Sequence, residues 1–303
     1  MIRSIVFASL VFTGLCTNPF QNSKNRLIPT RETASFDALI IGAGWAGLGA
    51  GNALLSEGIT NFQILEARDV IGGRSKTIYE FGENLPLDLG SEWVLSNNPV
   101  YDVVVDNNIP NIEEEFNFDV YRPNGEKINR LVASALVGGY FASFNLYQIF
   151  RQKTDNSDKA LQKVMDDFKF FLPIGDCGKI FFDAFIDLYI EIEAAADPSD
   201  MSLKYHNSNE PHLGSDVFMG VPNGGYKSIV DKYAESLLPK IKLESKVTKV
   251  DYSTIPINVT YEDTNGTVTF VQANKVFVTL PIGVLRRGMS LFNSLLTNLS
   301  KRI

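Results

Sequence analysis

The sequence predicts an α/β fold in which a doubly wound parallel sheet is interrupted by a mainly helical insertion. Three observations support this prediction. A buried strand, a helix and a second strand follow one another within about 30 residues, the size of one βαβ unit. Segments of helical character fill the middle of the chain, and strand patterns return after them. With 303 residues, the chain is long enough for two domains.

The first predicted domain begins with the βαβ unit. Residues 36–41 form a short apolar run that ends at glycines, which is typical of a buried parallel strand. Residues 45–56 are rich in Ala, Leu and Gly and predict a helix, and residues 61–66 predict the second strand. Because strand patterns return after the insertion, we assign residues 36–98 and 215–303 to this domain.

Residues 99–214 are the predicted helical insertion. Helices are expected at 131–150, 159–172 and 179–196. The aromatic residues in these segments have mixed helical spacings, and we interpret them as helix core.

The chain beyond the insertion predicts one helix and three strands. Residues 226–238 have helical character. Alternating apolar and polar residues predict strands at 257–261 and 267–270, joined by a hairpin turn at Asn265–Gly266. Residues 275–280 predict a further strand.

The N-terminal residues have the pattern of a secretory signal peptide, which we assign to 1–16, followed by a polar linker at 17–35. The apolar run at 5–15 is shorter than the roughly 20 residues that a membrane span needs. A secreted or endomembrane-lumen location is therefore expected. Three Asn-x-Ser/Thr sites fit a glycosylated chain: Asn258, Asn265 and Asn298.

Composition argues against two kinds of partner. The formal net charge is −7, so nothing provides the broad basic face that nucleic-acid binding requires. Cys16 would leave with the signal peptide, and the mature chain would carry Cys177 alone, without an intrachain disulfide. With His206 and His212 as the only histidines, no zinc-type ligand spacing occurs.

The turn between the first strand and the first helix carries a Gly-x-Gly-x-x-Gly motif. Gly42 permits the tight turn, Gly44 lets a pyrophosphate approach the backbone, and Gly47 lets the helix lie close to the strand. Glu66 follows about 20 residues later at the end of the second strand, where it can accept hydrogen bonds from a ribose. The sequence therefore predicts a Rossmann-like dinucleotide-binding domain.

The residues after this strand, Glu66-Ala-Arg-Asp-Val-Ile-Gly-Gly-Arg74, resemble the signature of the flavin-containing amine oxidase family. The resemblance implies FAD as the cofactor. Two glycines let the loop pass close to the cofactor, while Arg74 offers a forked cation to the pyrophosphate. A nicotinamide cofactor has no comparable need for such a loop, which favours FAD over NAD.

Further segments resemble the same family. Residues 87–94 are similar to the segment that runs beside the flavin, residues 222–225 to a Gly-Gly turn, and residues 276–285 to a strand followed by Pro-x-Gly-Val-Leu. Val247 matches the position whose backbone meets the adenine, although simple strand packing is an equal alternative. The candidate FAD contacts are Gly42, Gly44, Trp45, Ala46, Gly47, Glu66, Arg68, Gly73, Arg74, Gly90, Ser91, Glu92, Trp93 and Val247.

The resemblance implies oxidation of a small-molecule amine to an imine, with O2 reduced to H2O2. A polyamine is one such substrate, but Leu95 stands where polyamine-oxidising members tend to carry His or Glu. The family's Lys near the flavin, its aromatic pair and its last glycine-rich segment would lie beyond Ile303, so no catalytic residue is assigned. The alternatives are a non-catalytic flavin-binding or partner-binding relic and a relative of flavin L-amino-acid oxidases.

Overall fold

A computed structural model describes ten ranges of the chain: 34–82, 85–96, 98–113, 119–122, 124–155, 157–171, 182–183, 196–205, 218–221 and 224–287. The predicted signal peptide and nearly all of the linker lie outside them, as do Cys177, both histidines and Asn298. Among the described residues, no helix is long and apolar enough to cross a membrane. These residues also contain no group of three His, Cys, Asp or Glu side chains that could hold a metal ion.

The described residues divide into two compact units, one within residues 1–114 and 217–303 and one within residues 115–216. The strands of the first unit are β1 Ser35–Ile41, β2 Phe62–Leu65, β3 Ser75–Ile78, β4 Leu87–Gly90, β5 Trp93–Leu95, β6 Ile112–Glu113, β7 Phe218–Gly220, β8 Ile241–Lys242, β9 Lys246–Asp251, β10 Ile257–Glu262 and β11 Val268–Val278. The helices along the chain are α1 Trp45–Ser56, α2 Pro99–Asp106, α3 Arg130–Thr154, α4 Leu161–Phe171, α5 Lys227–Ala234 and α6 Ile282–Arg287, with 3₁₀ helices at Pro198–Asp200 and Glu235–Lys240.

The main sheet of the first unit has six strands in the order β8-β2-β1-β11-β10-β9. Its centre is parallel, because β1 pairs in parallel with both β2 and β11. The side chains of β1 alternate between two buried clusters: Ala38 and Ile40 belong to one, and Leu39 and Ile41 to the other. Burial on both faces is typical of a doubly wound sheet, and the predicted fold class is confirmed.

The prediction of two separate strands at 267–270 and 275–280 is wrong, because the chain runs through both as the single strand β11. Its first half pairs antiparallel with β10 and its second half pairs parallel with β1. Val271 and Ala273, which lie between the two predicted strands, are buried in the sheet. Because the strand changes its pairing partner without a turn, no glycine or proline in the sequence marks the change.

Two further boundaries differ from the prediction. We placed the start of the insertion at residue 99, but α2 packs in the first unit because Val104 is fully buried in its core. The helix expected at 226–238 is an α-helix only to Ala234 and then narrows to the 3₁₀ helix Glu235–Lys240, which contains Pro239. Proline has no backbone N–H and therefore cannot continue the α-helical hydrogen-bond pattern.

The second unit is built around α3 and α4. Both helices were predicted, α3 at 131–150 and α4 at 159–172, and the third predicted helix, at 179–196, lies almost entirely outside the described residues. The core of this unit consists of Phe144, Leu161, Val164, Met165, Phe168, Phe182 and Leu203. The interpretation of the aromatic residues as helix core is confirmed for Phe182, but it is wrong for Phe170 of α4, which is 83% exposed.

Candidate functional site

The first glycine-rich loop joins β1 to α1 by very close backbone packing. Gly42 has a φ of +104°, which side chains other than glycine rarely adopt. A Cβ at Gly47 would lie 1.9 Å from the carbonyl oxygen of Gly42. Both glycines are therefore needed for the turn and for the approach of the helix, as the motif predicted.

The N-terminus of α1 is open to an anionic partner. Its N-cap is Gly44, no side chain caps it, and its first turn contains no acidic residue. The first backbone N–H groups of a helix lack partners within the helix and attract anions such as phosphate. A Cβ at Gly44 would meet only Gly73 atoms, the nearest at 3.6 Å, so this glycine leaves room at the helix end without being demanded by the packing.

The Gly-Gly-Arg loop lies directly against the first loop. The Gly72 N–H donates to the Ala43 carbonyl at 2.9 Å, and Gly44 and Gly72 form an isolated parallel bridge. Gly73 has a φ of +64°, and a Cβ there would be 3.0 Å from the Gly44 Cα. The two glycine-rich loops thus meet through their backbones.

Arg68 closes the second loop, since its Nη2 donates to the Gly73 carbonyl at 2.8 Å. Arg74 has an exposed side chain next to this contact. The structure therefore gives the two arginines different positions, one bound to the loop and one at its surface.

Glu66 lies at the end of β2 and is 7% exposed. Its Oε2 accepts a hydrogen bond from the Ala43 N–H at 2.8 Å, and its Oε1 accepts one from the Arg68 N–H at 3.0 Å. Two carboxylate oxygens offer about four acceptor positions, so the group retains capacity for a ribose. Glu66 therefore supports the first loop in addition to the role that the sequence predicted.

The segment after β4 lies beside the Gly-Gly-Arg loop. Gly90 has a φ of +121°, a Cβ there would lie 1.9 Å from the Arg74 carbonyl oxygen, and the Ser91 N–H donates to that same oxygen at 3.4 Å. Glu92 is exposed. Trp93 is 40% exposed and contacts the ring of Phe218 edge-on at 6.1 Å.

Val247 lies in β9, 9% exposed, in the same buried cluster as Leu65. The chain just before it runs beside Glu66. The Glu66 N–H donates to the Lys242 carbonyl at 2.9 Å, and the Ser245 N–H donates to the Glu66 carbonyl at 2.8 Å. The predicted adenine position therefore follows two residues after Ser245, which is hydrogen-bonded to the predicted ribose ligand Glu66.

The two other candidates lie in the first turn of α1. Ala46 is half-buried. The Trp45 indole Nε1 donates to the Ser75 Oγ at 2.7 Å, and its ring packs against Tyr226 and Tyr233 at centroid distances of 6.0 and 5.2 Å. The Trp45 side chain is therefore engaged by the protein itself.

Sequence reasoning missed Ser75 and Asp88. Both Asp88 oxygens accept from the Tyr226 N–H at 3.0 Å, and Thr77 donates to the same carboxylate. Burial and the nearby Asp88 charge raise the pKa of the Tyr226 hydroxyl to about 12. A cap supplied from 138 residues away leaves no local signal; the only trace is the Gly-Gly turn, where a Cβ at Gly225 would lie 2.5 Å from Thr77.

A sequence model of the family described as flavin containing amine oxidoreductase matches residues 45–300. The chain belongs to this family. FAD is accordingly its cofactor, as the Gly-Gly-Arg loop predicted. The backbone contact between the two glycine loops, the open end of α1 and the buried Glu66 fit a dinucleotide of this kind.

Several relatives of this flavin-dependent chain are polyamine oxidases. It is 26% identical over 296 residues to polyamine oxidase 4 of Oryza sativa subsp. japonica, covering 88% of this chain and 56% of that protein. It is 27% identical to polyamine oxidase 1 of Zea mays, covering 84% and 54%. Lysine-specific histone demethylase 2 of Homo sapiens is 29% identical over 267 residues, covering 84% and 31%. The chain thus spans about half the length of the polyamine oxidases.

Solved structures agree on the fold. Putrescine oxidase, in its wild-type form bound to putrescine, matches with a TM-score of 0.60 at 18% identity, covering 84% of this chain and 60% of that one. A double mutant of putrescine oxidase, made to redesign its cofactor binding, matches with the same TM-score at 19% identity and the same coverage.

Proposed function

We propose that this chain is the cofactor-binding part of an FAD-dependent oxidase of a small-molecule amine. When bound, FAD would supply the oxidising chemistry: it would accept a hydride from the carbon next to a neutral amine, the protonated imine would release a proton, and this hydride and proton would reduce O2 to H2O2. The observation that carries the proposal is the uncapped N-terminus of α1, placed where Gly44 and Gly73 meet.

Each part of this site has a role in the proposal. The N–H groups of the first turn of α1 and the Arg74 guanidinium hold the pyrophosphate, because both present donors with positive charge character. Glu66 accepts hydrogen bonds from the adenosine ribose, and the backbone at Val247 borders the adenine. The segment Gly90 to Trp93 lies on the flavin side and excludes water from it.

The first test is reconstitution of the purified chain with FAD, measured by flavin absorbance after gel filtration. Wild-type protein is expected to retain the yellow cofactor. Glu66→Ala is expected to lose it, because the ribose acceptor is gone and two backbone N–H groups are left without their partner. Glu66→Gln is the matched control, since it keeps one acceptor oxygen.

The second test is turnover. Peroxide release is measured with spermine, a simple monoamine and an L-amino acid, because these three represent the polyamine, amine and amino-acid alternatives. Peroxide with an amine would show that this chain catalyses as well as binds FAD. FAD binding without peroxide from any of the three would favour the non-catalytic relic, and no FAD binding would contradict the proposal itself.

The location is a separate proposal. We propose that the chain enters the secretory pathway, and its support is the apolar run at 5–15 and the sequons. Asn265 lies exposed at the β10–β11 turn, whereas the Asn258 amide donates to Thr254 and accepts from Gln272. A glycan on the Asn265 peptide, detected by mass spectrometry after expression in a eukaryotic host, is expected. An unmodified Asn265 peptide from a protein that still carries residues 1–16 would contradict the proposed location.

A further inference from the structure

A chain of three side chains connects the segments that form the candidate FAD site. The Trp45 indole Nε1 donates to the Ser75 Oγ at 2.7 Å, and the Ser75 hydroxyl donates to the Ser91 Oγ at 2.8 Å. Trp45 is the first residue of α1, Ser75 is the first residue of β3, and Ser91 follows directly after β4. One hydrogen-bonded chain therefore ties the first glycine loop, the Gly-Gly-Arg loop and the predicted flavin-side segment together.

The chemistry of the groups gives this chain a direction. An indole N–H can only donate, so Ser75 must accept from Trp45. The single Ser75 proton is donated to the Ser91 Oγ. Ser91 in turn accepts from Ser75, and its own hydroxyl proton is left for an acceptor other than these three side chains.

The packing holds the chain in place. Ser75 is 3% exposed, so water competes little for its hydrogen bonds. The Trp45 ring packs edge-on against the Tyr226 ring, with a centroid distance of 6.0 Å and an interplanar angle of 85°, and against the Tyr233 ring at a centroid distance of 5.2 Å. The backbone of Ser75 is anchored as well, since its N–H donates to the Gly72 carbonyl at 3.1 Å.

We propose that Trp45 and Ser75 are positioning residues for the cofactor, which hold Ser91 as a hydrogen-bond donor to bound FAD. This inference rests on the proposed function. It gives the Trp45 side chain a role through Ser75 and Ser91, and it predicts that FAD affinity depends on a residue, Ser75, that the motifs do not single out.

The first measurement needs no cofactor. The chain has two tryptophans, so its proton–nitrogen NMR spectrum should contain two indole signals, and Trp45→Phe identifies the one from Trp45. Ser75→Ala and Ser91→Ala are expected to shift the Trp45 indole proton. Ser228→Ala is the matched control, because the Ser228 hydroxyl donates a hydrogen bond of 2.8 Å to the Gly225 carbonyl and takes no part in the Trp45–Ser75–Ser91 hydrogen bonds. An indole signal that ignores both Ser75→Ala and Ser91→Ala would overturn the connection.

The second measurement is the FAD dissociation constant from fluorescence titration. Ser75→Ala and Trp45→Phe are each expected to raise it about 2- to 10-fold, the usual weight of one hydrogen bond. The double variant should bind FAD no more weakly than Ser75→Ala alone, because both substitutions break the same series of hydrogen bonds. Trp45→Phe keeps the ring contacts and preserves the test if Ser75→Ala does not fold.

The outcomes separate the inference from the proposed function. Unchanged FAD affinity in both variants, with or without a lower melting temperature, would overturn the positioning role while wild-type binding still stands. Absence of FAD binding by the wild-type chain would overturn the proposed function and this inference with it.

Discussion

The two compact units build their interiors from different parts of their residues. In the first unit, backbone meets backbone: Gly47 packs on the Gly42 carbonyl and Gly73 on Gly44. In the second unit, side chains meet: the Phe168 ring packs against three other rings, among them Phe144 at 5.6 Å. Glycine positions that permit such contacts can be read in a sequence, whereas an aromatic helix core has no comparable signature. The cofactor could therefore be predicted from the sequence of the first unit, whereas the sequence of the second unit predicted no chemical role.

The carboxylates beside the glycine loops and the Arg151 cluster of the second unit differ in the same way. In the second unit, Arg151 lies between Asp155 at 3.2 Å and Asp167 at 2.6 Å, and it also donates to the Tyr147 hydroxyl. The Asp167 carboxylate is the main reason that the pKa of Arg151 is raised. In the first unit, Glu66 and Asp88 accept from backbone N–H groups instead. These two carboxylates support the main chain, whereas Arg151 joins side chains of the second unit.

The largest expected effect breaks the side-chain core. Phe168→Ala should cost about 3–5 kcal/mol of unfolding free energy, because it removes a buried ring and leaves a cavity. Hydrogen exchange should show lost protection in α3 and α4 but retained protection in β1 and β11. Phe168→Leu is the control and should lose less. Equal loss of protection in the β1–β11 pairing would contradict the separation of the two units.

The next effect breaks the backbone packing. Gly47→Ala should destabilise the chain by about 3 kcal/mol, because its Cβ would lie 1.9 Å from a carbonyl oxygen. Gly49→Ala, in the same helix, should stabilise by up to about 1 kcal/mol, since its Cβ would make only an ordinary contact with Tyr233. Chemical denaturation measures both. A Gly47→Ala chain as stable as wild type would remove the basis of the comparison.

A smaller effect concerns the remote cap of α5. Asp88→Ala should cost about 1–2 kcal/mol, because the Tyr226 N–H at the start of α5 loses its acceptor and is left unpaired. Asp231→Ala, on α5 itself and paired at the surface with Lys227, should change the melting temperature little. Similar losses from both substitutions would mean that Asp88 acts through general charge and not as a cap.

The smallest effect lies in the ion pairs of the second unit. Hydrogen bonds from Arg130 and then Lys127 lower the pKa of Asp119 from 3.8 to about 2. A carboxyl group with a lowered pKa in the folded chain stabilises it above the unfolded value, and this contribution is lost as the pH falls from 3.8 toward 2. The melting-temperature difference between wild type and Asp119→Asn should therefore be small at pH 7 and should shrink below pH 4. A difference that grows on acidification would contradict this assignment.

Local patterns predicted the front of the fold well. The helix expected at 45–56 is α1, Trp45–Ser56, and the glycine loop and Glu66 lie where the motif placed them. These features could be predicted because each depends on neighbours close in sequence. The continuous strand β11 could not, because its two halves gain their partners from distant strands.

The same distinction explains the site. Glycines in a sequence indicate close backbone approaches. The proposed role of Ser75 instead depends on hydrogen bonds to Trp45 and Ser91, which lie 30 and 16 residues away. A lone serine after an arginine carries no pattern that predicts such a chain. The side-chain direction of Trp45 was equally hidden, since the motif specifies only that this position lies between two glycines.

The most direct test of the central claim compares FAD titrations of wild-type protein and Gly44→Ala. Gly44 has a φ of −79°, and the added Cβ would meet nothing closer than 3.6 Å, so the variant should fold and melt like wild type. The methyl group would occupy the place where the pyrophosphate approaches the backbone, and FAD affinity should fall about tenfold or more, at least about 1.4 kcal/mol. Gly49→Ala should bind FAD as wild type does. Equal affinity for FAD in Gly44→Ala and wild type would contradict the claim that the two glycine loops form the cofactor site.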